Sequence, residues 1–228
     1  MPSPNIKRLQ DVADGLEELN EKMVYVGGAV AELYVTDPAS TDIRPTMDID
    51  CVTELASYSK LSQLENSLRE KGFKNDQSPD TPMCRWIYNG KIVDIMPDDS
   101  NIIGFTNRWY HAALSYKEKR TLPNGKEIFV FSAPYYIATK IEAVKGRGGN
   151  DWRSSHDFED IIYIMNYTPD FVEQLKMVNP ELKQYYIDEF IAILARPNIK
   201  EEIECALPYG EEDRTDIIIS KMEQITSL

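Results

Sequence analysis

Three aspartates lie in stretches of the sequence that otherwise have the composition of buried strands. Asp48 and Asp50 are separated by one residue within residues 46–52, and Asp94 lies within residues 91–96. Because side chains alternate along a strand, the carboxylates of Asp48 and Asp50 are predicted to emerge from the same face. Mg²⁺ prefers carboxylate oxygens, and a divalent cation would offset the repulsion between them. The three residues therefore predict a Mg²⁺ site, and the alternative is solvent-exposed charge at the edge of a strand.

A glycine pair precedes these aspartates along the chain. Gly27 and Gly28 follow a short β-forming run, residues 23–26, and precede residues 29–34, which have a helical composition. Backbone N–H groups at the start of a helix can approach a phosphate closely when no side chain intervenes. The pair therefore indicates either a phosphate cradle or an ordinary tight turn.

Hydrophobic periodicity and turn signals place the elements around these residues. A helix is predicted to run to about Lys22, residues 35–45 to form a loop, and residues 59–72 to form a second helix. The Asn-Gly pair at 89–90 predicts a β-hairpin, and the pair at 124–125 predicts another hairpin or strand pair. From residue 134 onward the spacing is helical, with helices predicted over residues 135–144, 155–165, 171–178, 182–194, 200–207 and 214–225.

The change in pattern near residue 132 predicts an α+β fold with two domains. Residues 1–132 are expected to form a mixed sheet flanked by helices, and residues 133–228 an all-helical C-terminal domain. A chain of 228 residues is long enough for both domains to bury a core.

Composition excludes several classes of protein. The formal charge of −13, from 25 basic and 38 acidic residues, argues against a surface that broadly coats nucleic acid. The apolar runs are too short for a membrane-spanning helix and no secretory signal is visible, so the protein is expected to be cytoplasmic and not bound to a membrane. Three scattered cysteines without paired spacing favour reduced thiols.

Taken together, these motifs resemble the pattern of the polymerase-β-type nucleotidyltransferases, and within that superfamily the AbiEii-type proteins of abortive-infection and toxin–antitoxin systems. That pattern is a glycine pair, an Asp-x-Asp, a later single Asp, and then a Lys, an Arg and an Asp-x-x-Asp. The matching residues here are Gly27, Gly28, Asp48, Asp50, Asp94, Lys140, Arg147, Asp157 and Asp160. The resemblance covers roughly residues 23–165, and it implies that the N-terminal domain is nucleotidyltransferase-like.

The resemblance also implies an activity, the Mg²⁺-dependent transfer of an NMP from an NTP to a hydroxyl-type acceptor. Two Mg²⁺ ions would be expected, with Asp48 and Asp50 binding both. Asp94 would bind the ion on the acceptor side and either serve as the base or lower the pKa of the acceptor hydroxyl through that ion.

The same resemblance assigns nucleotide-binding roles outside the aspartates. Lys140 and Arg147, seven residues apart, would contact the β- and γ-phosphates, although cations at the end of a helix are otherwise typical of a solvated terminus. Asp157 and Asp160 share one helical face and are expected to support Lys140 or Arg147 through ion pairs. Arg44 could reach the nucleotide from the loop that precedes Asp48.

Two questions stay open from the sequence. The acceptor could be RNA such as tRNA, a protein or a small molecule; a local basic patch favours RNA, whereas the acidic total suits a small cationic substrate. The patch consists of Lys117, Lys119, Arg120 and Lys126. The alternative function is a catalytically inactive nucleotide-binding or protein-interaction subunit with the same fold, and toxin-like relatives also imply an antitoxin partner.

Overall fold

The structure is a computed structural model that describes residues 2–41, 43–147 and 149–228. The chain divides into two compact units. The first comprises Met1–Val30 and Arg44–Ser132, and the second comprises Ala31–Ile43 and Ala133–Leu228. The division differs from the domain boundaries predicted above because residues 31–43 belong to the second unit.

A mixed β-sheet forms the centre of the first unit. Within the described residues its strands are β1 (Val24–Val26), β2 (Asp48–Thr53), β3 (Lys74–Asn75), β4 (Arg85–Tyr88), β5 (Lys91–Pro97), β6 (Lys117–Thr121) and β7 (Glu127–Phe131). Their order in the sheet is β3-β4-β5-β2-β1-β7-β6. The pairs β2/β5 and β1/β7 are parallel and the other neighbours are antiparallel. The expectation of a mixed sheet combined with helices is confirmed.

Both Asn-Gly pairs lie in hairpin turns, as predicted. Asn89 and Gly90 have φ angles of +47° and +73° and connect β4 directly to β5, which is the geometry that favours Asn-Gly in a two-residue turn. The second turn connects β6 to β7, with Gly125 at φ +82°. The two turns therefore fix the registers of two antiparallel strand pairs.

The first unit also contains the helices α1 (Pro4–Leu16), α2 (Tyr58–Glu70), α3 (Ser100–Ile103) and α4 (Tyr110–Leu114). Ser3 caps α1 by accepting a hydrogen bond from the Ile6 N–H. The predicted extension of α1 to Lys22 is only partly correct. A positive φ of +51° at Glu17 ends the α-helix, and residues Glu17–Lys22 continue as a 3₁₀ helix.

The second unit is helical, with α5 (Ala133–Arg147), α6 (His156–Tyr167), α7 (Phe171–Lys176), α8 (Pro180–Leu194), α9 (Ile199–Ala206) and α10 (Thr215–Ile225). Fully buried aromatic side chains such as Phe158, Tyr186 and Phe190 form its core. The segment Ala31–Ile43 joins this unit because the N–H groups of Thr36 and Asp37 both donate to the Tyr167 carbonyl at 3.0 Å. Among the described residues, no helix combines the length and apolar character needed to cross a membrane.

Candidate metal centre

Asp48, Asp50 and Asp94 converge on one face of the sheet, and we call them the aspartate cluster. Asp48 is the first residue of β2, and Asp50 lies directly beside Asp94 in the parallel β2/β5 register. One carboxylate oxygen from each residue lies within 4.8 Å of those from the other two. The three carboxylates, which the sequence predicts to share a Mg²⁺ site, therefore form a compact group of oxygen atoms in the structure.

Burial differs within this cluster. Asp94 is 7% exposed, whereas Asp48 and Asp50 are half-buried, so the cluster opens toward solvent on the β2 side. Cys51, next along β2, is fully buried, and this burial together with the negative charges of Asp50 and Asp94 raises the pKa of its thiol well above the usual range. Cys51 is therefore a neutral thiol, and the potential metal ligands at this position are carboxylate oxygen atoms.

Glycine is required at position 27 because of its backbone conformation and because of its close contact with the aspartate cluster. Its φ angle is +70°, a conformation that L-residues with a side chain rarely adopt. A Cβ atom at this position would lie 1.9 Å from Oδ2 and 2.8 Å from Cγ of Asp50. The absence of a side chain at Gly27 thus leaves room for the Asp50 carboxylate.

The glycine pair does not open an α-helix, contrary to the prediction for residues 29–34. Gly28 is the first residue of a six-residue 3₁₀ helix, Gly28–Leu33. A 3₁₀ helix has tighter turns and poorer hydrogen-bond geometry than an α-helix. A phosphate cradle at Gly27 and Gly28 would therefore depend on the backbone of the turn itself.

Asn5 holds the chain segment that leads into β2, a role that sequence reasoning missed. Its side-chain amide donates to the Arg44 carbonyl at 3.1 Å and its oxygen accepts from the Thr46 N–H at 2.8 Å. Asn5 is 1% exposed, on the buried side of α1. The only sequence signal for this role is a polar residue at a buried helical position. Arg44 itself is half-buried at the start of this anchored segment.

Arg85 is bonded to one member of the aspartate cluster. It lies directly opposite Asp94 in the antiparallel β4/β5 register. Nε of Arg85 donates to Oδ1 of Asp94 at 2.8 Å and Nη2 donates to Oδ2 at 2.7 Å, a bidentate geometry. The hydrogen bond to Asp94 raises the pKa of Arg85 above its usual range, so this side chain is a permanent cation beside the cluster.

The residue that follows Arg85 cannot stack on a nucleotide base. Trp86, next along β4, has a side chain that is only 2% exposed and belongs to the core. The guanidinium of Arg69 lies over its ring at 5.5 Å.

In the second unit, four charged residues form what we call the ion-pair cluster: Lys140, Arg147, Asp157 and Asp160. The Lys140 ammonium lies 3.1 Å from Oδ1 of Asp157 and 2.6 Å from Oδ2 of Asp160. Arg147 donates from Nε to Oδ2 of Asp157 at 2.7 Å. The carboxylates of α6 thus support Lys140 and Arg147, which is the role expected for them, while the predicted phosphate contacts of the two cations stay a prediction.

Electrostatics favour the charged forms in the ion-pair cluster. Burial disfavours the charge on Lys140, but the Asp160 and Asp157 carboxylates outweigh this effect and raise its pKa. For Asp157, burial is likewise outweighed by the hydrogen bond from Arg147 and the charge of Lys140, which lower its pKa. Both partners therefore remain ionised around neutral pH.

The predicted basic patch is largely neutralised by neighbouring carboxylates. Lys119 on β6 pairs with Glu127 on β7 at 2.9 Å, and Arg120 pairs with Glu118 of the same strand, β6, at 2.7 Å. Lys126 lies 3.8 Å from Asp14. Charged side chains along an edge strand also discourage pairing with other strands, so the patch has a structural explanation.

The oxygen donors of the aspartate cluster suit Mg²⁺. Mg²⁺ is a hard cation that is commonly bound through one or two carboxylates together with substrate phosphates. Three carboxylates within 4.8 Å, with space kept open at Gly27, supply this donor set. No protein-family model matches the chain, and no curated protein matches it.

Proposed function

We propose that the protein is a Mg²⁺-dependent nucleotidyltransferase that moves an NMP from an NTP to a hydroxyl-type acceptor. The convergence of Asp48, Asp50 and Asp94 is the single observation that carries this proposal. The sequence resemblance to polymerase-β-type and AbiEii-type nucleotidyltransferases supports it, because the same three positions carry the motif. The nucleotidyltransferase-like identity of the first unit is part of the same proposal.

The residues of the first unit would have different roles in this reaction. Asp48 and Asp50 would bind Mg²⁺, and Asp94 would complete the site on the acceptor side and take up the acceptor proton. When bound, Mg²⁺ would neutralise charge on the phosphates and lower the pKa of the acceptor hydroxyl. The turn at Gly27 and Gly28 would present backbone N–H groups to the phosphates of the NTP.

A transfer assay tests this proposal. The purified protein is incubated with each labelled NTP, Mg²⁺ and a cell extract, in parallel with Asp48→Asn and Asp50→Asn. We expect label to enter a macromolecular or small-molecule product with the wild type, and transfer at least 100-fold slower with either variant. Equal labelling by wild type and variants, or none with any NTP, would reject the activity.

The same assay separates the classes of acceptor. For an RNA acceptor, the rate at subsaturating acceptor is expected to fall steeply between low and moderate salt because counterions compete for the phosphates. Treating the product with ribonuclease or protease identifies the labelled molecule directly. A labelled product that resists both treatments would indicate a small-molecule acceptor.

A nucleotide-binding subunit without turnover is the second candidate function. The pairing of Arg85 with Asp94 favours it, because a carboxylate engaged on both oxygens is less available as a base. Binding of a labelled NTP without transfer in any extract would support this function over the enzymatic one.

A further inference from the structure

Arg85 occupies the side of the aspartate cluster that a second metal ion would need. Both carboxylate oxygens of Asp94 accept hydrogen bonds from its guanidinium, at 2.8 and 2.7 Å. The side chains are 25% and 10% exposed, so water screens the pair only partly. Each Asp94 oxygen has a further lone pair, but any cation placed there would lie close to the positive charge of Arg85.

An arginine differs from other neighbours of a metal ligand because its charge is permanent. It also cannot be moved without breaking two charge-assisted hydrogen bonds, which are stronger than neutral ones. Asp48 and Asp50 lie on the other strand of the β2/β5 pair, and Arg85 faces Asp94 from β4. The Arg85 guanidinium is thus hydrogen-bonded to Asp94 and interacts more weakly with the charge of Asp48, so it is placed asymmetrically with respect to the three carboxylates.

We propose that Arg85 limits the free protein to one divalent ion at the aspartate cluster, held mainly by Asp48 and Asp50. A second ion binds near Asp94 only when an anionic substrate supplies additional negative charge. Arg85 is therefore a positioning residue that sets the number of bound metals. This inference rests on the proposed function for the identity of the substrate, but the metal count of the free protein is independent of turnover.

Manganese titration followed by electron paramagnetic resonance measures that count. The full-length protein without nucleotide is expected to bind one Mn²⁺ tightly, and Asp48→Asn is expected to weaken that ion at least tenfold. Arg85→Gln and Arg85→Met remove the charge, and either variant is expected to bind a second Mn²⁺ at least tenfold more tightly than wild type. Arg85→Lys retains the charge and is expected to keep the wild-type count.

Arg120→Gln is the matched control, because Arg120 also pairs with a carboxylate in the first unit but lies on β6, at the other end of the sheet. Its manganese binding should equal that of wild type. Arg85 would be shown to have no such role if wild type bound no ion or two ions without nucleotide. The same conclusion would follow if neither neutral variant gained a second ion, or if both lost the first.

The two proposals fail separately. Manganese counts that change as expected, without nucleotidyl transfer, would reject the activity and retain the role of Arg85. If the wild-type protein transfers nucleotide but Arg85→Gln and Arg85→Met bind manganese as the wild type does, the activity would be retained and the role of Arg85 rejected.

Discussion

The two clusters of charged residues balance charge in different ways. In the ion-pair cluster of the second unit, two cations and two carboxylates are bonded to one another, and Asp160 is fully buried. In the aspartate cluster of the first unit, three carboxylates meet on neighbouring strands and Arg85 is bonded to Asp94. Only the ion-pair cluster carries carboxylates and cations in equal number.

This difference separates a structural role from a binding role. The charges of a buried ion pair compensate each other and need no further ligand, and removing one partner leaves an uncompensated buried charge. Like charges repel instead, by about 3 kcal/mol for two unit charges 4.8 Å apart at an effective dielectric constant of about 20. Arg85 and solvent offset part of this repulsion, and a divalent cation would reverse its sign.

The largest effect is expected from breaking the ion-pair cluster. Lys140→Met removes the cation that contacts both Asp157 and Asp160 and leaves these carboxylates buried without it, so we expect the free energy of unfolding to fall by about 3–5 kcal/mol. Urea unfolding followed by circular dichroism measures the change.

Arg153→Gln is the control for this prediction. Arg153 pairs with Asp151 and Glu201 at the surface, and exposed pairs contribute little, so a loss below about 1 kcal/mol is expected. Equal losses of stability in Lys140→Met and Arg153→Gln would show that the buried ion pairs contribute no more to stability than the exposed ones.

The aspartate cluster should respond to metal, which the ion-pair cluster should not. At a Mg²⁺ concentration about 100 times the dissociation constant, binding to the native state stabilises the protein by about 2.7 kcal/mol. We expect Mg²⁺ to raise the Tm of wild type and of Lys140→Met. In Asp48→Asn, where the ion is expected to bind at least tenfold more weakly, the stabilisation at the same Mg²⁺ concentration should fall to about 1.4 kcal/mol or less. Without Mg²⁺ that variant should be as stable as wild type or slightly more stable.

Differential scanning calorimetry with and without Mg²⁺, with EDTA in the metal-free samples, tests this prediction. A fall of several kcal/mol in the metal-free stability of Asp48→Asn would mean that the carboxylate is structural. In that case the contrast between the two clusters would be lost.

Gly27→Ala probes the space beside Asp50. Alanine at a φ of +70° is strained by about 1–3 kcal/mol, and its Cβ would also displace the Asp50 carboxylate. Gly125→Ala has a similar φ of +82° but no atom within 4 Å of the new Cβ, so it carries the backbone strain alone. We expect both to lose stability, Gly27→Ala by more, and Gly27→Ala alone to lose Mg²⁺-dependent stabilisation. Retained stabilisation would show that Asp50 can shift without consequence.

Local patterns in the sequence predict much of the first unit. Strand alternation places Asp48 and Asp50 on one face, and the two-residue turn at Asn89 and Gly90 fixes the register of β4 and β5. Because Tyr88 pairs with Lys91 in that register, residue 85 pairs with residue 94, so the contact between Arg85 and Asp94 follows from counting along the hairpin.

Contacts between distant segments were beyond the reach of such patterns. The parallel pairing of β2 with β5, which brings Asp94 beside Asp50, depends on strand order in the sheet and not on either strand's own sequence. The role of Asn5 depends on the position of α1 beside the segment that precedes β2. Residues 31–43 likewise join the helical unit through backbone hydrogen bonds to Tyr167, which leave no signal in side-chain types.

The smallest expected effect concerns pH and lies outside both clusters. Nδ1 of the exposed His111 is 2.6 Å from the buried Asp98 carboxylate, which also accepts from the Leu55 N–H. The hydrogen bond and charge of Asp98, with the charges of Glu54 and Asp99, raise the pKa of His111.

Since the folded-state pKa of His111 is raised, its stabilising contribution is complete below the unfolded value of about 6.5 and is lost as pH rises through the folded value. The ion-pair cluster should add no slope in this range, because the pKa of Asp157 is lowered and that of Lys140 is raised. In EDTA, unfolding free energies between about pH 5.5 and 8 should therefore decline with pH in wild type and less steeply in His111→Gln. If the pH dependence of the unfolding free energy were the same in wild type and His111→Gln, it would arise from other residues. The imidazole proton shifts measured by NMR would then show whether His111 titrates between about pH 5.5 and 8.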